Sequence, residues 1–227
     1  MTTLAIECSA LATSVAVVKD SCVLGESFLH SGKAHSQTLM PMLTELLKNL
    51  QLGIEDIDLI AVTKGPGSFT GVRIGVAAVK GLAMPFNTPT IGISTLENLA
   101  YGLVHTKGLI CPVLDARCAQ VYCGAFLSDG VKMNRVLKDS AIPIDELVDR
   151  LKNFDEDIIF TGDGAHLVQP LVAGSRLAPA QLLYPRAGTL GILAQSMADT
   201  ATDCARLTPA YIRLPQAVRE RLKRENG

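Results

Sequence analysis

Hydrophobic positions along the chain change period several times, and each change marks a predicted element. Residues 4–8, 14–19 and 22–29 are three short β-prone runs separated by tight turns, which predicts an antiparallel meander. Beyond Ser36, the residues Leu39, Met42, Leu43, Leu46, Leu47 and Leu50 recur at i, i+3, i+4 and i+7. That spacing predicts an amphipathic helix over 36–50, with Ser36 as N-cap and Pro41 near its start. Residues 57–63 form a mostly apolar run, the mark of a strand buried on both faces. A glycine-rich turn over 64–71 leads into a helix over 72–84, ended by Pro85 and Asn87. Thr90–Ile93 reads as a strand, and 96–103 as a helix capped by Ser94 or Thr95.

The pattern restarts near Thr106-Lys107-Gly108. Residues 109–114, 121–127 and 131–137 read as strands, with Ser128-Asp129-Gly130 as a hairpin turn. Ile144–Leu151 is a predicted helix and Ile158–Thr161 a strand. Gly162-Asp163-Gly164 turns into a short helix, and 189–204 reads as a longer one. The class is therefore α/β, and the order βββαβα occurs twice, in units 1–108 and 109–227. Two such lobes face to face are the plan of the actin, sugar-kinase and Hsp70 superfamily, the ASKHA fold. Glycine-rich loops at strand ends face the cleft of that fold and hold phosphates.

Composition narrows the classes. The 227 residues are 48% hydrophobic and 19% charged, enough apolar material for a sizeable core and too little charge for a disordered chain. Mean hydropathy is +0.29, so some apolar surface is left for a core, a membrane or a subunit contact. No run approaches the roughly 20 uncharged apolar residues of a spanning helix. The start, Met1 to Glu7, lacks a basic n-region, so neither membrane span nor signal peptide is expected and a cytoplasmic location is. Lys+Arg is 21 against Asp+Glu 22, which argues against a chain that coats nucleic acid. The exception is the basic tail over 213–227, which either touches RNA phosphate or is a solvated helix end. Aromatics are 4% with no Trp, which disfavours a base- or sugar-stacking surface. The 6 cysteines contain no C-x-x-C pair and read as free thiols in a reducing compartment.

Candidate chemistry clusters at predicted strand ends. Gly65-Pro-Gly-Ser-Phe-Thr-Gly-Val-Arg-Ile-Gly75 follows a strand and opens a helix, where backbone N–H groups and the helix dipole suit an anion. Gly65, Gly67, Ser68 and Thr70 are the candidate phosphate contacts; a tight strand-to-helix turn is the alternative reading. The segment is neither a P-loop nor a nucleophile elbow. Glu7, Asp115 and Asp163 each end a predicted strand and either face a nucleotide and its cation or are solvated or capping side chains. No H-x-x-x-H or H-E-x-x-H occurs and no Ser/His/Asp order stands out, so no catalytic set and no metal site is expected. Interior glycines in the 72–84 helix cost ~1 kcal/mol each relative to Ala. Close approach of a neighbour offsets that cost, either within the lobe or from another subunit. With the 36–50 helix beside it, Leu39, Met40, Leu43, Leu46, Leu47, Val72, Gly75, Val79 and Leu82 form a candidate partner face.

Several of these motifs together resemble the TsaB (YeaZ) family. They are Leu4-Ala-Ile-Glu-Cys-Ser, Thr13-Ser-Val-Ala-Val, His35-Ser, the glycine-rich block, Gly92-Ile-Ser-Thr-Leu, Asp115-Ala-Arg, Val121-Tyr, Thr161-Gly-Asp-Gly-Ala and Pro209-Ala-Tyr-Ile-Arg-Leu-Pro-Gln-Ala. The resemblance implies an ASKHA fold and a role in making threonylcarbamoyladenosine beside the tRNA anticodon. It implies a non-catalytic subunit that binds and activates a TsaD-type catalytic subunit, with a TsaE-type ATPase as a further partner. In that picture tRNA is reached only through the complex, and the helices near 36–50 and 70–84 form the contact surface, which can also pair two copies of the chain. No cofactor is implied for the chain alone, with ATP or ADP allowed at a complex interface. The helix after Gly92 reads Glu97-Asn-Leu-Ala-Tyr-Gly-Leu, without the H-x-x-x-H of TsaD. Glu7-Cys8 stands where many members have Asp-Thr. The alternatives kept beside this reading are an independent ASKHA ATPase or phosphotransferase and, with less support, a glycoprotease-like peptidase.

Overall fold

The computed structural model describes residues 1–213, so the basic tail, apart from Arg213, lies outside the described residues. The first three strands, β1 (Thr2–Glu7), β2 (Thr13–Lys19) and β3 (Cys22–Leu29), form the expected meander. Helix α1 (His35–Leu50) follows, then β4 (Leu59–Thr63), α2 (Phe69–Ala83), β5 (Thr90–Ile93) and α3 (Thr95–Tyr101). The sheet order is β3-β2-β1-β4-β5, with β4 and β5 parallel to β1. The second half repeats the plan with β6 (Gly108–Asp115), β7 (Gln120–Ser128), β8 (Met133–Pro143), α4 (Ile144–Leu151), β9 (Ile158–Thr161), α5 (Ala165–Val168), β10 (Arg176–Leu177) and α6 (Ala187–Ser196). Its order, β10-β9-β6-β7-β8, is that of the first sheet strand for strand.

Several boundaries differ from those the sequence predicts: β4 starts at Leu59, α2 spans Phe69–Ala83 and α3 Thr95–Tyr101, and three further differences are larger or change a cap. Helix α1 begins at His35 and its N-cap Ala34 makes no side-chain cap, so Ser36 lies inside the first turn. Strand β8 runs on to Pro143, past the polar Lys138, Asp139 and Ser140. It is an edge strand with an exposed face, so its pairing needs no apolar alternation. Helix α6 starts two residues early and stops at Ser196, and two short 3₁₀ turns carry the chain onward from there.

The central layer departs from the expected division at residue 108. Helix α3 of the first half packs Leu96 and Leu99 on Leu114, and Ala100 on Ile110 and Phe126 of the second sheet. Helix α6 of the second half packs Ala187, Leu190 and Ala194 on Ala5, Ala16 and Ala61 of the first sheet. Thr202 then bridges Thr90 of β5, Leu207 enters the first lobe's core, and the Ala210 N–H donates to the Lys64 carbonyl at 2.7 Å. Residues 187–210 of the second half thus pack on the first lobe. The outer faces are covered by α1 and α2 on the first sheet and by α4 and α5 on the second.

Small residues on both sides let α6 lie this close. A Cβ at Gly191 would sit 2.5 Å from Val18 Cγ2 and 3.4 Å from Ala5 Cβ. Gly191→Ala is therefore expected to cost about 1–3 kcal/mol by overpacking. Gly81→Ala, where a Cβ meets nothing within 4 Å, is expected to gain up to ~1 kcal/mol. Urea unfolding midpoints of the two variants check the pair, and a stable Gly191→Ala would refute the close packing of α6.

Candidate functional site

Strands β1 and β6 end at the seam between the lobes, and their following loops enclose a pocket of about 330 Å³. Ser9 to Leu11 wall it from one side, Gly67 to Phe69 from another, and Asp115 to Arg117, Tyr122 and Asp163 from the second lobe. The glycine-rich loop takes its course from backbone contact. Gly67 has φ +152°, and a Cβ on Gly67 or Gly71 would collide with the carbonyls of Ser9 and Cys8. The Ser68 N–H donates to the Ser9 carbonyl at 2.7 Å, and the Ser68 hydroxyl caps α2 by accepting from the Gly71 N–H at 3.2 Å.

The expected phosphate and cation residues divide. Gly67, Ser68, Asp115 and Asp163 line the pocket. Gly65 is buried against the Ala210 carbonyl, and Thr70 is exposed to solvent; neither lines the pocket. Glu7 is also off the pocket, with no solvent exposure. Its Oε1 accepts from the Ser9 N–H at 2.6 Å and the Ser9 hydroxyl at 2.5 Å, and its Oε2 from Asn98 Nδ2 at 3.3 Å. Thr95 extends this network by donating to the Ser9 hydroxyl at 2.9 Å, and Asn98 Nδ2 also reaches the Arg186 carbonyl at 3.2 Å. Burial pushes the Glu7 carboxyl above its ordinary range, against the pull of the Ser9 and Asn98 hydrogen bonds.

The second lobe's carboxylates are engaged as well. Asp163 accepts from the Asp115 N–H at 3.1 Å. Burial raises its carboxyl, that hydrogen bond lowers it, and the Asp115 charge raises it. Asp115 accepts from the Arg117 N–H at 2.7 Å and pairs with the Arg117 guanidinium at 3.4 Å. Among the described residues, no group of three His, Cys, Asp or Glu side chains is placed to hold a metal ion. The turn after Asp115 holds Arg117, Cys118 and Ala119 at φ +65°, +56° and +54°, three successive left-handed residues that are not glycine. Each such residue costs roughly 1–2 kcal/mol, and the Arg213 guanidinium braces the turn by donating to the Ala116 carbonyl.

The candidate partner face needs correction. Leu39, Leu43, Leu46, Leu47, Val72 and Val79 are at most 8% exposed and belong to the first lobe's own core. Gly75 is buried there too, its Cα side facing Val62 and Cys8, and Leu82 is half buried. An i, i+3, i+4 stripe marks the side of a helix that is buried and does not say by what. Met40, at 44% exposed, is the one expected contact that projects outward. The outward face of α2 is instead Arg73, Ala77, Gly81 and Met84, flanked by Ile74, Ala78 and Leu82 and continued by Phe86. On length and composition, Phe69–Phe86 passes as a membrane span, with mean hydropathy 1.2 and 33% of it buried. It nonetheless carries Arg73 and Lys80 and packs on β4. At its first turn the Arg73 guanidinium lies 3.8 Å from the Phe69 ring centre, and its Nε donates to the Tyr211 hydroxyl at 2.7 Å.

Known proteins share both sequence features and architecture with this chain. The family model for TsaD, tRNA N6-adenosine threonylcarbamoyltransferase, matches residues 29–219. A Bacillus subtilis (strain 168) protein named tRNA threonylcarbamoyladenosine biosynthesis protein TsaB is 34% identical over 222 residues, 96% of each chain. The chain belongs to the TsaB family. A crystal structure from Pseudomonas aeruginosa, of a protein described as uncharacterized with similarity to peptidase YeaZ, superposes with TM-score 0.82 at 27% identity. It covers 93% of this TsaB-family chain and 99% of that one. The activator of 2-hydroxyisocaproyl-CoA dehydratase from Clostridium difficile shares the fold at TM-score 0.52 and 12% identity, over 88% of this chain and 96% of that one. Together with the repeated sheet order, these neighbours identify the architecture as the ASKHA fold.

Sequence reasoning missed Ser9, Thr95 and Asn98 as partners of Glu7. Asn98 sits beside Glu97 on a short helix and carries no pattern that separates a buried amide from a solvated one. The network has a measurable signature. A carboxyl raised by folding holds its proton to higher pH in the folded chain than in the unfolded chain. Stability is then fullest below the unfolded value and falls as pH rises through the folded one. Glu7→Gln keeps an oxygen for Ser9 and removes the titration. Chemical unfolding across pH is expected to show the wild type losing stability relative to Glu7→Gln as pH rises; parallel profiles would refute it.

Proposed function

We propose that this chain is a non-catalytic scaffold in the synthesis of threonylcarbamoyladenosine on tRNA, and that the outward face of α1 and α2 binds and activates a TsaD-type catalytic subunit. A TsaE-type ATPase joins the same assembly, tRNA is reached through it, and ATP or ADP sits at a subunit junction. The names of the relatives support the pathway, and one observation carries the role. Gly81 lies in the last turn of α2 with open space, among the described residues, where its Cβ would be, and Ala77, Met84 at 66% exposed and Phe86 at 48% surround it. Gly71 and Gly75 have their cost offset by close contact inside the lobe. Among the described residues Gly81 has no such contact, and the close approach of a second helix would supply it. The same face suits a second copy of the chain, which would compete with the catalytic subunit. The state of the cleft supports a scaffold over an enzyme, because Glu7, Asp115 and Asp163 are all engaged inside the chain.

Gly81→Arg tests the surface without disturbing the core. The variant is expected to melt within a few degrees of the wild type and to lose association with the TsaD-type subunit of the same organism by 100-fold or more. Co-elution on size exclusion measures it, and unchanged co-elution would reject the face. An independent phosphotransferase predicts tight ATP binding by the isolated chain. The scaffold reading predicts none at sub-millimolar nucleotide with Mg²⁺, and calorimetry separates the two.

A further inference from the structure

A second cavity, of about 340 Å³, lies along β5, the edge strand of the first sheet. It shares no lining residue with the interlobe pocket. The returning chain builds it. Thr202 pairs with Thr90 through both backbone bonds, N–H to carbonyl and carbonyl to N–H, each 2.8 Å. The chain then bows away from the strand, re-enters the core at Leu207 and is tied to the Lys64 carbonyl by the Ala210 N–H. The bow and the strand edge enclose the space.

Two cations line it, Lys64 and Arg206. Among the described residues neither forms a salt bridge, and no carboxylate lines the cavity. The nearest acids along the chain are Asp199 and Asp203, and Asp203 is turned to the Ala205 N–H at 2.7 Å. Lys64 is the first residue past the carboxyl end of β4, the side of an open α/β sheet where ligands collect. Its backbone is fixed, its N–H donating to the Ile93 carbonyl at 2.9 Å and its carbonyl accepting from Ala210. Gly92 gives its side chain room, since a Cβ there would lie 3.0 Å from Lys64 Cδ and 2.9 Å from Leu207 Cδ1. This is a reason for the glycine of the Gly92-Ile-Ser-Thr motif that neither the cleft nor the α2 face provides. Thr202 and Thr208 also line the cavity.

A concave site lined by a lysine, an arginine and several threonines, and by no acid, suits a phosphate oxyanion, whether ester or diester. We propose that this cavity binds a phosphoryl group, carried either by a small phosphate ester or by an RNA backbone. The full chain, in phosphate-free buffer of low ionic strength, is titrated with inorganic pyrophosphate by calorimetry and with a short single-stranded RNA by fluorescence polarisation. Lys64→Met and Arg206→Met are each expected to weaken binding at least tenfold. Arg206 is exposed, so its variant keeps the fold, and it decides the matter if Lys64→Met does not fold. Pyrophosphate binding that depends on Arg206, without RNA binding, assigns a small ester; RNA binding that depends on Arg206 assigns a backbone. Binding of neither probe by the wild type, or binding that Arg206→Met leaves unchanged, overturns the proposal.

Discussion

Placing a carboxyl group where no water reaches it obliges the chain to bring hydrogen-bond donors to it. Glu7 ends the first strand at zero exposure, and its partners come from the loop behind β1 and from α3. Asn98 reaches on to the carbonyl that precedes α6. One buried group therefore fixes the seam at which α3 and α6 cross between the sheets. Leaving such a group unpaired costs far more than an ordinary surface contact contributes. The loop at Ser9 in turn sets the glycine-rich segment, because Ser68 bonds to its carbonyl and Gly67 lies against it. Pocket, loop and central helices share this origin.

The seam also explains the state of the cleft. Glu7 is withdrawn into the hydrogen-bond network, and the two aspartates opposite are engaged by backbone N–H groups and by Arg117. The acidic side chains at the interlobe space serve the protein's own architecture. α2 starts at that pocket and carries exposed apolar surface at its other end, at Met84 and Phe86. The strained turn at Arg117–Cys118–Ala119 connects these regions, since Arg213 braces it only two residues beyond Tyr211, which packs on the first turn of α2.

Most elements were legible because burial on one face leaves a period in the sequence. Strand Ile158–Thr161 and helix Ile144–Leu151 match to the residue, and the twofold order of elements reappears as a twofold order of strands. The errors come from what periodicity omits. It reports that Leu43 and Val79 are covered and not that their own lobe covers them. It cannot see that α6 crosses to the first sheet, because Ala187 and Leu190 would look the same on either. Of the candidate cleft residues, those in loops facing the seam were found by glycine and aspartate spacing. Glu7 was misread because a strand-end carboxylate has the same sequence signature whether it faces a cleft or a buried amide.

The crossing of α6 has a bearing on how the protein is born. The inner face of the first sheet carries three alanines, Ala5, Ala16 and Ala61, beside Leu59, Ile91 and Ile93, and is covered by a helix that begins at residue 187. During synthesis that face stays uncovered until nearly the whole polypeptide has left the ribosome, about ten seconds or more at usual elongation rates. Contacts so distant along the chain slow the final step of folding. The first half alone lacks the cover its sheet is shaped for and waits on α6, whereas the second half finds α3 already made when its own strands emerge.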